Sequence, residues 1–395
     1  MKKTMKTRAA VLLLTGLLAA LPAGCRAPES GSSAPEADGS ASASQPSLQE
    51  GEIALESNEF QVTGKTVTLI GRHHVAADKG AFGFSNSAAG VAFAFEGTEL
   101  AVYLSASAYK EGYFHYVTII IDDREPIALP IRQAGWQEVA TDLEAGKRHT
   151  VRILKRSESN AGDICIHRIR LSQGAKLFEA PPPPTDRKIQ VLGDSIACGY
   201  GNLWTGEEPE NVTKWEDGTN TYATMVAQRF GASLDMVAIS GIGAGNAKNE
   251  PYPILPVYKQ RDNSVTEPAD FGSFVPDVVI IGLGTNDVGR QNPAQDFVNS
   301  AVELIRFIRA QHPDCVIIWT YGVMGDPAYG ENPRRAVEIV TEEGMKNVYY
   351  MPATPAEGGG LGLAAHPLVA DHERLAEELS AFITDTLGWK EVGQE

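Results

Sequence analysis

The chain has 395 residues, of which 43% are hydrophobic, and its formal net charge is −16. This length and composition exclude a fibrous or wholly disordered protein and allow two domains, each with its own core. An acidic surface repels phosphate backbones, so the charge argues against nucleic acid as a partner and fits a neutral substrate.

The first 25 residues predict an export signal. Four basic residues precede the apolar run 9–21, which is too short to cross a bilayer, and the small residues Ala23 and Gly24 lead into Cys25. This layout resembles a lipobox, the bacterial signal after which a cysteine is lipidated, although Pro22 stands where leucine is usual. We expect a cell-surface lipoprotein that reaches the membrane only through a lipid on Cys25. The alternative is an ordinary export signal with an incidental cysteine.

Residues 26–55 are rich in Ser, Ala, Pro, Gly and Glu, a composition that buries too little apolar surface to fold. We expect a flexible linker there. The other cysteines, Cys165, Cys198 and Cys315, form an odd and sparse set without zinc-ligand spacing. This argues against a disulfide framework and against a bound metal.

Hydrophobic residues alternate with period two between residues 56 and 178. In GVAFAFEGTELAVYL, Phe93 and Phe95 precede a turn at Gly97, and the alternation resumes at Leu100. We interpret this stretch as a hairpin with one buried face. Similar short runs recur about every ten residues, so the segment predicts a jelly-roll β-sandwich of eight or nine strands.

Four consecutive prolines predict a stiff linker over residues 179–187. Beyond it, over 188–390, short apolar runs without polar alternation follow one another with helical patterns between them. This order predicts an α/β domain built on a five-stranded, doubly wound parallel sheet of the flavodoxin-like kind. Its ligand site is expected at the carboxyl ends of the strands.

Three short motifs follow the first three predicted strands of this domain. Ser195 lies in GDS, Gly241 in SGIGAG and Asn286 in GTND. Acyl transfer needs a hydroxyl nucleophile and donors for the oxyanion that forms on the attacked carbonyl. We predict Ser195 as the nucleophile and the Ser195 and Gly241 N–H groups with the Asn286 side chain as the oxyanion hole. A turn serine and an Asx-turn asparagine are the alternatives. Asp194 and Asp287 are interpreted as structural.

The base must come from another loop, because none of these motifs contains a histidine. His312 precedes the fourth strand and therefore lies at the wrong end of the sheet. His366 and His372 both follow the fifth strand, and His372 falls in the first turn of the last helix. We predict His366 as general base and acid, with His372 in a packing role.

The blocks GDSIACGYG, SGIGAG and GTND, in this order, resemble those of the SGNH hydrolases, with Ser195, Gly241, Asn286 and His366 at the four namesake positions. Over about residues 60–390 the chain is similar to carbohydrate esterase family 2, in which a jelly-roll module precedes the hydrolase domain. The resemblance implies removal of O-acetyl groups from an acetylated polysaccharide or oligosaccharide of xylan or mannan type. It implies an acetyl-enzyme intermediate and no metal or organic cofactor.

This chain departs from the SGNH pattern at one place. Most members carry an aspartate two or three residues before the catalytic histidine, where this chain has Ala364 and Leu363. We expect a dyad of Ser195 and His366, with the ring held by a backbone carbonyl or another side chain.

Two aromatic residues near Ser195 in the sequence, Tyr200 and Trp204, are candidates for stacking on a sugar. Two other functions remain open at this point. One is an esterase for other small acyl esters, and the other is a surface lipoprotein that binds glycan without catalysis. The retention of both Ser195 and Asn286 argues against the second.

Overall fold

The computed structural model describes residues 58–76, 80–107, 114–178, 182, 185–207, 211–245, 253–291 and 293–393. The predicted leader with Cys25 and the predicted linker at 26–55 lie outside these residues.

Two antiparallel β-sheets form from residues 59–178, and their inner faces share one apolar core. The alternation read from the sequence places Phe93 and Phe95 from one sheet, and Val102 and Leu104 from the other, in this core, all without solvent exposure. Burial of such alternating side chains is the main stabilising contribution to a sandwich. The strands, in chain order, are β1 (Glu59–Gln61), β2 (Thr68–Ile70), β3 (His74–Ala76), β4 (Ala81–Phe84), β5 (Gly90–Glu96), β6 (Leu100–Ala106), β7 (His115–Ile121), β8 (Ile127–Ile131), β9 (Gly135–Ala140), β10 (Arg148–Lys155), β11 (Ile164–Leu171) and β12 (Lys176–Phe178).

The expected hairpin is wrong, because β5 and β6 lie in different sheets. One sheet has the order β3-β4-β11-β6-β9 with β1 on β11, and the other has the order β12-β5-β10-β7-β8 with β2 on β5. Alternation indicates a strand and its buried face, but it does not indicate which strand is the partner. The turn at Gly97 therefore carries the chain across the core.

The expected number of strands was also too low, since the described residues contain twelve in this region. Four of the strands, β1, β2, β3 and β12, have three residues each. A segment of three residues is too short to show period-two alternation, so the sequence pattern misses it.

The rest of the described chain confirms the doubly wound α/β fold. Its five-stranded parallel sheet has one apolar cluster on each face, formed with the helices that cover that face. The strands of this part, in chain order, are β13 (Lys188–Gly193), β14 (Ser233–Ala238), β15 (Gln260–Asp262), β16 (Val265–Pro268), β17 (Val278–Gly282), β18 (Val316–Tyr321) and β19 (Val348–Pro352), of which β15 and β16 form a separate antiparallel pair outside the five-stranded sheet. The α-helices are α1 (Ser195–Cys198), α2 (Tyr222–Arg229), α3 (Ile254–Tyr258), α4 (Thr285–Gly289), α5 (Ala294–Gln311), α6 (Glu331–Glu342) and α7 (Val369–Leu387).

The order β14-β13-β17-β18-β19 places the site. The strand that follows β13 in the chain, β14, lies on one side of it, and the later strands β17, β18 and β19 lie on the other. At such a switch point a crevice opens at the carboxyl ends of the strands. Gly193 at the end of β13 pairs in register with Ala238 of β14 and Gly282 of β17. The loops that carry Ser195, Gly241 and Asn286 therefore leave the sheet side by side.

The sandwich is attached to the α/β domain by Arg72, whose side chain is 9% exposed. Arg72 Nε lies 3.3 Å from Asp235 Oδ2, and Arg72 Nη1 donates to the carbonyl oxygens of Tyr258 and Gln260 at 2.7 and 2.6 Å. Hydrogen bonds to charged groups are stronger than neutral ones, and the low exposure of this pair reduces screening. The two domains thus share polar contacts that neither could satisfy alone.

Candidate active site

Ser195 begins the short helix α1 directly after β13 and is 6% exposed. Asp194 caps this helix, since its carboxylate accepts the Ile196 N–H at 3.0 Å. The helix ends at Gly199, whose φ of 74° is the left-handed conformation that glycine adopts most readily. These local interactions hold the Ser195 hydroxyl at the carboxyl end of β13.

His366 lies against this hydroxyl. Its Nε2 is 2.8 Å from Ser195 Oγ, although the two residues are 171 positions apart in the chain. The imidazole is 9% exposed, and burial lowers the pKa of His366 below its ordinary value of 6.5. A neutral histidine within hydrogen-bond reach of a serine hydroxyl is the arrangement that general base catalysis requires.

The hydrogen bond made by the other ring nitrogen, Nδ1, determines which tautomer His366 adopts. His366 Nδ1 lies 2.9 Å from the carbonyl oxygen of Leu363. Because a carbonyl can only accept, Nδ1 must carry the hydrogen and Nε2 must carry the free lone pair. The Leu363 carbonyl thus occupies the orienting position that the missing aspartate has in the SGNH pattern.

The loop that carries His366 is irregular. Ala364 and Ala365 have φ values of 53° and 62°, which are unusual for residues other than glycine. The loop is closed by a bond from the Gly362 N–H to the His366 carbonyl at 2.8 Å, and it is tied to the Ser195 side of the site by a bond from the Leu363 N–H to the Gly201 carbonyl at 3.2 Å. A few backbone contacts therefore determine where the imidazole lies.

The two candidates for sugar stacking, Tyr200 and Trp204, have different neighbours in the structure. The ring of Tyr200 packs against the imidazole of His366, with centroids 4.8 Å apart and planes tilted by 50°. Trp204 lies in the same loop, and its Nε1 donates to the Glu207 carbonyl at 2.7 Å. His372 packs inside the domain, where its ring stacks on Tyr222. Tyr200 is therefore a neighbour of His366, the predicted base, a contact that the sequence did not indicate.

The remaining loops meet at Asn286. Its Nδ2 donates to the Ile242 carbonyl at 2.9 Å and lies 3.4 Å from Asp194 Oδ2. Gly241, one residue before Ile242, has a φ of 86°, which allows the chain to turn sharply at this point. The structure thus brings the Ser195, Gly241 and Asn286 loops into one crevice with His366.

The two acidic residues of these motifs bind loop amides, as expected for structural residues. Asp287 accepts the N–H groups of Ala244 and Gly245 at 3.0 and 2.8 Å. Asp194 is fully buried, and burial raises its pKa to about 7. Both carboxylates hold the backbone of the crevice in place.

Sequence reasoning missed two residues of the β-sandwich that contact this crevice. Glu158 Oε2 accepts the Ser240 N–H at 2.7 Å, and Asn160 Nδ2 donates to the Ser240 carbonyl at 3.1 Å. Both residues lie about 80 positions before Ser240, in a turn whose composition carries no functional motif. No local signal in the sequence could have found them.

The described residues contain neither a cluster of metal ligands nor a membrane-spanning helix. Within these ranges no three His, Cys, Asp or Glu side chains come together as metal ligands would. Nor does any helix in the described part of the chain combine the length and apolar character that a membrane crossing requires.

Two family models match the chain in tandem. The Carbohydrate esterase 2 N-terminal model matches residues 69–181, and the GDSL-like Lipase/Acylhydrolase model matches residues 191–381. The matched segments correspond to the sandwich and to most of the α/β domain.

Among curated proteins, the chain is similar to the cellulase/esterase CelE of Acetivibrio thermocellus, with 31% identity over 315 residues. That match covers 77% of this chain but only 37% of CelE, so the chain spans little more than a third of that relative. An acetylxylan esterase / glucomannan deacetylase of Cellvibrio japonicus is 24% identical over 338 residues, with 82% of this chain and 89% of the relative covered.

Solved structures show the same architecture. A family two carbohydrate esterase from Clostridium thermocellum, in complex with cellohexaose, superposes with a TM-score of 0.74 at 28% identity and covers 82% of this chain and 99% of that one. A family 2 enzyme with a carbohydrate-binding domain from Corynascus gives a TM-score of 0.70 at 26% identity, covering 82% of this chain and 100% of that one. The likeness extends over both domains.

Proposed function

Because the chain belongs to the family 2 carbohydrate esterases, we propose that it removes O-acetyl groups from polysaccharides of the xylan or mannan type. The observation that carries the proposal is the 2.8 Å hydrogen bond between Ser195 Oγ and His366 Nε2. The Cellvibrio relative, named an acetylxylan esterase / glucomannan deacetylase, supports the substrate class. In this proposal residues 188–390 perform the reaction and residues 56–178 form an accessory domain.

The reaction begins with the transfer of one proton. His366 Nε2 takes the proton of the Ser195 hydroxyl as Oγ forms a bond to the acetyl carbonyl carbon, and the carbonyl oxygen becomes an oxyanion. The imidazolium then gives this proton to the sugar oxygen as the ester bond breaks. The products of this step are a free sugar hydroxyl and an acetyl group on Ser195.

The oxyanion is proposed to bind three donors: the N–H groups of Ser195 and Gly241 and the amide of Asn286. Asn286 Nδ2 donates to the Ile242 carbonyl at 2.9 Å, which orients the amide, and to Asp194 Oδ2 at 3.4 Å. In this proposal the oxyanion replaces Asp194 as the acceptor of the second, longer bond. Each such donor contributes about 10²- to 10³-fold in rate.

Water completes the cycle. His366 Nε2 removes a proton from a water molecule, whose oxygen attacks the acetyl carbonyl and forms a second oxyanion in the same place. When this intermediate breaks down, Ser195 Oγ takes the proton back from the imidazolium, and acetic acid leaves and releases its proton to solvent as acetate. No group other than water is consumed.

The Leu363 carbonyl is proposed to replace the aspartate of the SGNH pattern. It selects the useful tautomer of His366, but its dipole stabilises the imidazolium less than a full negative charge would. Together with burial, this keeps His366 neutral to a lower pH than a carboxylate partner would allow. Ser195 and His366 would thus work as a dyad.

The proposal is tested by acetate release from acetylated xylan, acetylated glucomannan and an aryl acetate. Ser195→Ala is expected to lower kcat by about 10⁴-fold or more, and His366→Ala by about 10³-fold, since each removes a reacting group. Ser273→Ala is the matched control, because Ser273 is exposed and its hydroxyl donates to the Asp270 carbonyl in a surface turn. It should keep full activity.

The outcomes separate the alternatives. Turnover of the aryl acetate without release from either glycan would indicate an esterase for other small acyl esters. Binding of acetylated glycan without turnover of any substrate would indicate a glycan-binding protein. Either result would overturn the proposal.

We further propose that the protein is exported and carries a lipid on Cys25. The layout of the first 25 residues supports this proposal, and residues 26–55, rich in Ser, Ala, Pro, Gly and Glu, have the composition of a linker between a lipid anchor and the domains. Mass spectrometry of the processed amino terminus is the test. A chain that starts at Cys25 with acyl groups is expected, and a start elsewhere without lipid would indicate an ordinary export signal.

A further inference from the structure

A short segment of the β-sandwich, residues 155–160, makes hydrogen bonds to the α/β domain. The Glu158 N–H donates to Glu216 Oε1 at 2.6 Å, and Arg156 Nε donates to the Glu216 carbonyl at 2.9 Å. Lys155 is fully buried, and its Nζ donates to the Glu158 carbonyl at 2.7 Å. The segment is therefore held firmly from both domains.

From this position the segment binds both backbone groups of Ser240. The carboxylate of Glu158 accepts the Ser240 N–H at 2.7 Å, and the amide of Asn160 donates to the Ser240 carbonyl at 3.1 Å. Ser240 directly precedes Gly241, the proposed oxyanion donor. Two side chains of the sandwich thus hold the backbone beside the proposed oxyanion hole.

The planarity of the peptide bond makes this contact directional. The Ser240 carbonyl and the Gly241 N–H belong to one trans peptide plane and point in opposite directions. Asn160, by binding the carbonyl, therefore determines where the Gly241 N–H points. Rotation of this plane would change only ψ of Ser240 and φ of Gly241, and glycine opposes such rotation less than any other residue.

The α/β domain holds the later part of the same loop. Asn286 binds the Ile242 carbonyl, and Asp287 binds the N–H groups of Ala244 and Gly245. The peptide between Ser240 and Gly241 lies before these contacts. A turn bond from the Ile242 N–H to the Ile239 carbonyl at 3.1 Å spans this peptide, and the side-chain bonds to Ser240 come from the two residues of the sandwich.

We infer that Glu158 and Asn160 are positioning residues, which aim the Gly241 N–H at the oxyanion from the β-sandwich. This inference rests on the proposed function, because it assigns Gly241 a role in stabilising the oxyanion. It makes the sandwich part of the catalytic apparatus rather than a neighbouring module.

Asn160 is the better residue for a test. Glu158 is 4% exposed and lies close to the buried Lys155, so its removal would leave a buried charge and could unfold the protein. Asn160 is exposed at the surface, and its replacement leaves no buried group unpaired inside the sandwich. A loss of activity in an Asn160 variant therefore reports on the loop and not on folding.

The experiment measures kcat and KM for an aryl acetate in Asn160→Ala and Asn160→Asp, with the melting temperature of each. Asn160→Asp keeps the size of the side chain but removes the donor. The inhibition constant of a trifluoromethyl ketone is measured as well, since its adduct with Ser195 places an oxyanion in the hole, as the transition state does. Gln173→Ala is the control, because Gln173 is an exposed amide of the same domain.

We expect kcat to fall about tenfold in both Asn160 variants, a fraction of the loss of a whole oxyanion donor. KM and the melting temperature should stay unchanged, and the ketone should bind about tenfold more weakly. A kcat within twofold of the unaltered protein, or a loss of kcat without a loss of ketone affinity, would overturn the inference. If the unaltered protein turns over no acetate ester, the proposed function fails and the inference fails with it.

Discussion

The loop that carries Ser195 and the loop that carries His366 hold their side chains in different ways. Ser195 follows a buried central strand and begins a capped helix, so regular structure determines its position. His366 ends a loop with two left-handed alanines, and its ring is oriented by the Leu363 carbonyl and packs against Tyr200. The predicted nucleophile is thus placed by the sheet, whereas the predicted base is placed by a few contacts between loops.

The difference shows where the site is most sensitive. A left-handed alanine costs about 1 kcal/mol, so the conformation of Ala364 and Ala365 persists only because surrounding contacts enforce it. Those contacts include the bond from the Leu363 N–H to the Gly201 carbonyl. Changes at this junction should affect activity more than stability.

At this junction, the largest effect is expected from Gly201→Ala. A Cβ at Gly201 would lie 2.6 Å from Leu363 Cβ and 2.9 Å from its backbone nitrogen, so Leu363 and its carbonyl would have to move. Because this carbonyl orients His366, we expect kcat to fall about 100-fold, as a displacement of about 1 Å can cause. Steady-state kinetics with an aryl acetate and thermal unfolding would measure the two effects.

Gly206→Ala is the matched control for that variant. Gly206 also has a positive φ, of 97°, but no heavy atom lies within 4 Å of the position of its added Cβ. The control shares the backbone strain without the contact to Leu363. An equal loss of kcat in both variants would mean that strain, and not the position of His366, causes the effect.

A smaller effect than that of Gly201→Ala is expected from Ala364→Asp, on the pH dependence of kcat/KM. The base must be neutral, and burial lowers the pKa of His366, so kcat/KM should fall with decreasing pH at a midpoint below 6.5. Ala364→Asp restores an acidic residue two positions before the histidine, in a left-handed conformation that aspartate tolerates. A carboxylate near the ring favours its charged form, so the midpoint should move to higher pH.

The pH profile of Ala364→Asp also shows whether His366 or Asp194 is the group whose titration controls kcat/KM. Asp194 is a candidate because burial raises its pKa to about 7. Asp194 belongs to the serine loop, and Ala364→Asp does not alter it. A midpoint that stays in place in the variant would assign the titration to Asp194 or to another group.

The recognisable part of the site came from residues that are close together in the sequence. GDS, SGIGAG and GTND each occupy a few consecutive residues, and each follows a predicted strand. The parallel sheet then brings the strand ends together, so sequence order was enough to group Ser195, Gly241 and Asn286. His366 followed from the end of the sheet at which its loop must lie.

The sequence by itself determined the fold class and the family and predicted the residues that react, because alternation, apolar runs and short motifs are local properties. The tertiary structure decided which strands pair, since β5 and β6 separate into two sheets despite their hairpin-like pattern. It also decided that the Leu363 carbonyl orients His366 and that Asn160 binds Ser240, 80 residues further along the chain. These contacts depend on how distant segments pack, and an unpatterned turn such as that of Asn160 leaves no trace of them in the sequence.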